Sequence, residues 1–159
     1  MHPTQTSNVL PITPPVQPGF IIRNCGDVRE NGVFSTRGFS RSALIARLSG
    51  TIVHSRSLHT LQISEGIHLY DPDFVGLFLH SCSPNVHVDM QRFTVHAIQD
   101  ISPGEALCMD YSSTEDILHR QFPCLCKSPV CREWITGRRE PINAQGVRYL
   151  NALEATVVR

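Results

Sequence analysis

Cys124-Leu125-Cys126-Lys127-Ser128-Pro129-Val130-Cys131 sets three thiols within one eight-residue run. Thiolates so spaced are soft donors for a tetrahedral ion, and zinc takes four ligands, so the run requires a fourth donor from elsewhere in the chain. The candidates are Cys25, Cys82, Cys108 and eight histidines. Cys108 lies in an apolar run and Cys25 in a polar one. Cys82 sits in the irregular segment His80-Ser81-Cys82-Ser83-Pro84-Asn85 and is the best-placed partner. His80 or His119 is the second choice. Isolated cysteines are commonly small buried hydrophobes, but three together, flanked by Lys127, Ser128 and Pro129, suit a metal better.

The rest of the composition fits one packed unit. A chain of 159 residues, 41% hydrophobic, is long enough for a single core and too short for two ordinary ones. Lys plus Arg and Asp plus Glu are 14 each, so no net field favours a nucleic-acid backbone or an anionic membrane, and neither is an expected direct partner. No cationic, apolar leader and no run of spanning length is present. With no export signal and three of the six cysteines packed into eight residues, the cluster reads as metal ligands rather than disulfides. This points to a reducing, intracellular compartment, cytoplasmic or nuclear.

Residues 1–19 carry five prolines among Thr, Ser, Asn and Gln, a composition that predicts a flexible arm. From Phe20 to Tyr111 the chain changes to short apolar or alternating runs: FII, GVF, ALIARL, TIV, LQI, IHLY, VHVD, FTVHAI and ALCM. They predict a mainly β fold with several small sheets and short helices. Val86 to Asp89 and Phe93 to Ile98 alternate around Met90-Gln91-Arg92 and predict a hairpin. Pro103-Gly104 precedes a predicted strand from Glu105 to Met109. Ser112-Ser113-Thr114-Glu115 offers caps to a short helix through His119. Val147, Leu150, Leu153 and Val157 fall at helical spacing within Asn143 to Val158 and predict a helix covering part of the core.

Three stretches, in order, resemble the signatures of SET-domain protein lysine methyltransferases. LHSCSPN (79–85) resembles NHSCxPN, GEALCMDY (104–111) resembles GEELTxDY, and CLCKSPVCREWITG (124–137) resembles the zinc-binding post-SET CxCx4CRGxIxG. Asn31-Gly32-Val33-Phe34 is similar to the GxGVF turn, and Phe39 to Gly50 to the IxxGxxIxxxxG that follows. The resemblance covers about residues 20–140. It implies a SET fold of small sheets with a pseudoknot over 20–120, a post-SET zinc segment over 121–140 and a helix or tail over 141–159, with no pre-SET cysteine cluster. It also implies a zinc ion on Cys82, Cys124, Cys126 and Cys131, and S-adenosylmethionine bound near Asn31, Gly32, Val33, Leu79, His80 and Asn85. Tyr111 is the implied catalytic residue, with Met109 and Tyr70 along the substrate channel. The implied substrate is a lysine of a protein or peptide, a histone being the default; a small amine metabolite fits equally.

The chain departs from the pattern at several positions. Leu79 replaces the Asn of NHSC and cannot make its hydrogen bond; Glu30 stands for the first Gly of GxG. Gly76 sits where many relatives carry Arg, Thr60 roughly where many carry a second Tyr, and Glu133 replaces the Gly of CRG. These changes favour, as the alternative, a SET-fold protein that binds a partner or acts on a small metabolite without methyl transfer. Two other arrangements carry little weight. Glu105 and Asp110 read as a turn charge and a structural acceptor, and adjacent Ser81 and His80 point apart in extended chain.

Overall fold

Every one of the nine apolar runs contains a strand. The computed structural model describes residues 17–29 and 31–157; residues 1–16 of the expected arm, Glu30 and the last two residues lie outside it. The strands are β1 (Phe20–Asn24), β2 (Asn31–Ser35), β3 (Leu44–Arg47), β4 (Thr51–Val53), β5 (Thr60–Ser64), β6 (Ile67–Tyr70), β7 (Leu79–His80), β8 (Val86–Asp89), β9 (Thr94–Ala97), β10 (Cys108–Met109), β11 (Phe122–Pro123) and β12 (Trp134–Ile135). Helix α1 (Ala144–Val157) closes the described chain. Strand order is β1-β2, β3-β9-β8, β4-β6-β5, β10-β7 and β11-β12, and β10 runs parallel to β7. The architecture is mainly β in several small sheets, as the sequence predicts.

The β8–β9 hairpin pairs Val88 with Val95 and Val86 with Ala97, which buries those four residues together. Its turn is one residue longer than Met90-Gln91-Arg92, because Phe93 adopts φ 52° and bends the chain into β9. Two predicted elements come out shorter. The strand expected from Glu105 keeps only Cys108–Met109, with Ala106 bridged to Phe34. The helix expected through His119 is a single 3-10 turn, Tyr111–Ser113. Asp110 caps it by accepting from the Ser112 amide, which starts the turn earlier than the serine caps would.

The main core centres on Val33, Phe78, Val95 and Leu107. Phe20 stacks on Phe39 at 5.7 Å and meets Phe74 edge-on at 5.1 Å, and Phe74 meets Phe78 at the same distance. A second cluster joins Leu118, Cys124 and Ile135, with Phe122, Cys82, Cys126 and Cys131 against it. Tyr111 packs on both clusters. Helix α1 starts where Asn143 Oδ1 accepts from the Gly146 amide at 2.8 Å. It covers the smaller unit rather than the main core: Gly146 lies against Trp134, and Tyr149 packs on the same indole at 5.5 Å. Val147 and Val157 of its apolar stripe remain exposed.

Glu115 ties the end of this region to β5. Its Oε1 accepts from the Gln62 amide at 2.7 Å and the Thr114 hydroxyl at 3.1 Å, and burial raises its pKa above the ordinary carboxylate value. A carboxyl whose folded pKa is raised contributes stability at low pH that is lost as pH rises through that pKa. Glu115→Gln keeps the accepting oxygen and has no charge to desolvate. Its stability relative to the parent should therefore rise as pH goes from roughly 3 to 7, across the carboxylate range. Urea midpoints at several pH values test this; a parallel pair of curves would refute it.

Candidate active site and metal centre

The segment Leu79 to Asn85 grips β10 along both edges. On one edge the Leu79 and Ser81 amides donate to the Leu107 and Met109 carbonyls. On the other, the Asn85 amide donates to the Cys108 carbonyl at 3.0 Å. The Asn85 side chain completes the grip: Nδ2 donates to the Ala106 carbonyl and Oδ1 accepts from the Cys108 amide, both at 2.8 Å. Asn85 thus spends both ends of its amide on the backbone of 106–108. These bonds tie 79–85 to the backbone of 106–109 from two sides.

The same segment delivers Cys82 to the C-terminal cysteines. The Sγ atoms of Cys82, Cys124, Cys126 and Cys131 lie within 4.8 Å of one another, and Cys82 and Cys124 are 3.9 Å apart. Four thiolates about 2.3 Å from one zinc ion stand about 3.8 Å from each other, so the donor set and spacing fit a tetrahedral site. The Arg132 amide points at Cys82 Sγ and the Glu133 amide at Cys131 Sγ, each at 3.4 Å, a pattern that offsets thiolate charge. Burial opposes ionisation at Cys126, but backbone hydrogen bonds at Ser128 and Cys82 and the neighbouring thiols outweigh it and bring its pKa down to about 6. Neither His80 nor His119 belongs to this four-sulfur group.

Tyr111 sits beside the cluster. Its hydroxyl donates to the Phe78 carbonyl at 2.7 Å, and burial pushes the phenol pKa well above its usual value. Its ring meets His80 at 5.2 Å and Phe122 at 5.8 Å, edge to face. The Tyr111 amide donates to His80 Nδ1 at 3.2 Å, and His80 Nε2 is 3.5 Å from Cys82 Sγ. Burial lowers the His80 pKa to about 4, so the imidazole is neutral near pH 7. Asp110, between Met109 and Tyr111, accepts from Arg132 Nη2 at 2.6 Å and from Ser112, which fastens the cysteine loop to the tyrosine turn.

The residues assigned to the cofactor pocket and channel are spread more widely. Asn31 is exposed at the start of β2, Oδ1 accepting from Asn24. Val33 is fully buried in the main core, and its carbonyl accepts from the Leu107 amide. Leu79 is buried over Gly32: a Cβ on that glycine would stand 3.0 Å from the leucine Cγ. Met109 is buried next to Asp110. Tyr70, exposed, lines a different recess with Ser49, Gly50, Asp73 and Phe74, which Tyr111 does not border. Gly76 has no room for any side chain, because a Cβ would fall 2.0 Å from the Asp71 carbonyl oxygen. The Thr60 hydroxyl closes a turn on Ser57.

Sequence reasoning missed Phe78, whose contribution is a carbonyl and so leaves no mark in residue type. It also missed Arg132; the signal was available, a cation directly after the last cysteine and a lone acid directly before the tyrosine.

Residues 30–112, just over half of the chain, match the family model of the SET domain, and the chain belongs to that family. It is similar to methyltransferase flvH of Aspergillus flavus, 30% identical over 101 residues, covering 62% of this chain and 57% of that protein. It is also similar to the probable histone-lysine N-methyltransferase set-23 of Caenorhabditis elegans, 36% identical over 76 residues, or 43% and 31% of the two chains. The chain thus spans little more than half of the first relative and a third of the second. Among solved structures, KRYPTONITE in complex with mCHH DNA, H3(1-15) peptide and SAH shares the fold at TM-score 0.57 and 20% identity, over 71% of this chain and 28% of that one. The methyltransferase domain of human SETMAR does so at TM-score 0.51 and 17% identity, over 70% and 55%. No helix of the described residues is long and apolar enough to cross a membrane.

Glu133 holds φ 65° between Cys131 and Trp134 with its side chain exposed. A left-handed L-residue costs roughly 1–2 kcal/mol relative to ordinary backbone, which glycine avoids. Part of that gain is lost to glycine's larger unfolded-state entropy. Glu133→Gly should therefore stabilise the protein by about 0.5–1 kcal/mol in chemical denaturation; a lower midpoint would show that the side chain contributes there.

Proposed function

We propose that this chain is an S-adenosylmethionine-dependent protein lysine N-methyltransferase whose fold is closed by zinc on Cys82, Cys124, Cys126 and Cys131. The observation that carries the reading is the placement of Tyr111. A phenol held by the Phe78 carbonyl stands at the seam between the gripped strand and the thiol cluster, in a chain whose relatives bear methyltransferase names. On this reading residues 20–120 are the SET domain, 121–140 the post-SET segment and 141–159 its C-terminal helix, and the protein works in the nucleus or cytoplasm. Histone peptides are the first substrates to try, and a small amine metabolite is the second class.

S-adenosylmethionine supplies a methyl group on a sulfonium: the amine nitrogen forms the new C–N bond as the C–S bond breaks, leaving a thioether and a proton to be shed from nitrogen. The chain's part is alignment and dehydration. A lysine amine, pKa about 10.4, reacts only when neutral, and an apolar surround of Tyr111, Phe122 and Met109 disfavours its ammonium form. Tyr111 donates its only proton to Phe78, so its oxygen keeps lone pairs that accept an amine N–H and fix the direction of the nitrogen lone pair. With its pKa raised, the phenol stays protonated and orients the amine rather than deprotonating it. Zinc would brace Cys82, and with it the segment that grips β10, against the C-terminal loop.

Leu79 favours a second reading, a SET fold that binds without methyl transfer, because it lays an apolar side chain over Gly32 in the expected cofactor pocket. Calorimetric titration of the zinc-loaded protein with S-adenosylmethionine separates the two. Binding is expected, and no heat at high micromolar ligand would overturn the methyltransferase reading. Given binding, Tyr111→Phe should lower transfer from labelled cofactor by about 100-fold, the scale of a misplaced reacting group, with cofactor affinity nearly unchanged. Retained transfer would remove Tyr111 from the active site.

Zinc content is checked separately by native mass spectrometry. The parent should carry one ion and Cys82→Ser should lose it on mild chelation, since a structural site needs all four ligands. Tight retention by the variant would exclude Cys82 as a ligand.

A further inference from the structure

His80 makes two directional contacts of opposite kind. The Tyr111 backbone N–H points at Nδ1 from 3.2 Å. Since that amide is a donor, Nδ1 must present a lone pair, and a neutral imidazole then carries its proton on Nε2. Nε2 in turn faces Cys82 Sγ at 3.5 Å, an appropriate length for N–H···S. A doubly protonated ring would set two donors against each other at Nδ1, and the Nδ1–H tautomer would do so while aiming a lone pair at a thiolate. The Asp110 carboxylate oxygen lies 3.9 Å from Nδ1, beyond hydrogen-bond length, so only one proton arrangement satisfies both hydrogen-bonded neighbours. The ring is buried and packs in T-shaped contact with Tyr111 and Phe122 at 5.2 and 5.8 Å, which restrains it where both contacts are made.

We infer that His80 is a positioning residue that couples the four-thiol cluster to Tyr111, donating from Nε2 to Cys82 and accepting at Nδ1 from the tyrosine's own amide. The inference rests on the reading of the cluster as a metal site and of Tyr111 as the active-site phenol. Loading of the cluster fixes the charge on Cys82, Cys82 fixes the ring, and the ring fixes where the Tyr111 backbone begins its turn. The metal end and the reacting end thereby share one rigid link of three residues. Arg132 supports this link from outside, its amide on Cys82 and its guanidinium on Asp110.

Two substitutions divide the contacts. Asn carries an accepting oxygen to about the reach of Nδ1, and Gln carries a donating nitrogen to about the reach of Nε2. His80→Asn should keep the Tyr111 contact and release metal to a chelator about ten-fold faster or more, the usual scale for removing a hydrogen bond to a ligand. It should also shift the thiolate-to-metal charge-transfer bands of the cobalt-substituted protein. His80→Gln should keep release rate and bands near those of the parent while lowering kcat by about ten-fold or more at unchanged KM. Unchanged release and unchanged bands in both variants would overturn the proposal. The parent provides a check that needs no variant: long-range proton–nitrogen correlation of the His80 ring should show the proton on Nε2 in the zinc-loaded protein, and a proton on Nδ1 would overturn the proposal. Release rates, cobalt spectra and ring tautomer are all read without methyl transfer, so an inactive parent would count against the proposed function and leave this test standing.

Discussion

The structure depends on the grip that Leu79 to Asn85 holds on β10. A two-residue strand contributes almost nothing alone, and a parallel pair of that length has no local turn to bring it together. Hydrogen bonds to carbonyls and amides on both edges make it a fixed element. Once β10 is fixed, the position of Asp110 and Tyr111 follows, because they are the next two residues. The other end of the same grip carries Cys82 to within 3.9 Å of Cys124. One crossing of the chain therefore sets both the phenol and the thiols, across sequence separations that short-range structure could not span.

The two apolar clusters explain why the thiols matter to the fold. The second contains few large side chains, Leu118, Ile135 and half-buried Phe122, and is roofed by a helix that buries only Gly146. So small a cluster has little apolar area with which to offset chain ordering. A cross-link through four sulfurs would supply what the packing lacks. Tyr111 lies where the clusters meet, so its ring is held from both sides, and any loosening of the smaller unit reaches it.

Much of this was legible from residue types. The cysteine spacing and the alternation around Met90-Gln91-Arg92 are local patterns whose structural outcomes are short-range, and the sheets formed where the apolar runs lay. Legibility failed where the controlling partner was remote or was backbone. The helix expected through His119 stops at Ser113, because Glu115 and Asp116 turn away to bind Gln62, fifty residues upstream and invisible to capping rules. The tail helix was found from its period, but the period did not say what it packs on. Gly146 and Tyr149 meet Trp134, while of the apolar stripe Val147 and Val157 stay exposed and Leu150 and Leu153 are half-buried. Asn85 reads as a pocket residue by motif, and the motif does not tell that both ends of its side-chain amide bind the backbone of Ala106 and Cys108. Glu133 reads as a departure from a glycine pattern, and its φ of 65° is a left-handed geometry that glycine takes without strain.

The departures at Leu79 and Gly76 have a common physical logic. Leu79 joins the grip through its amide, which any residue but proline supplies, so the hydrogen bonds place no demand on its side chain, which is buried. That side chain is free to answer to whatever faces it, and what faces it is Gly32, close enough that a Cβ there would meet the leucine at 3.0 Å. Gly76 is the reverse case. The Asp71 carboxylate binds the amides of Asp73, Phe74 and Val75, and the turn this creates brings the Asp71 carbonyl onto the α-carbon of residue 76, where only glycine fits. A long cation at that position would require a different turn, whereas another side chain at 79 would leave the backbone bonds of the grip in place. The backbone therefore dictates position 76, while at position 79 it fixes only the amide and the side chain answers to its packing on Gly32.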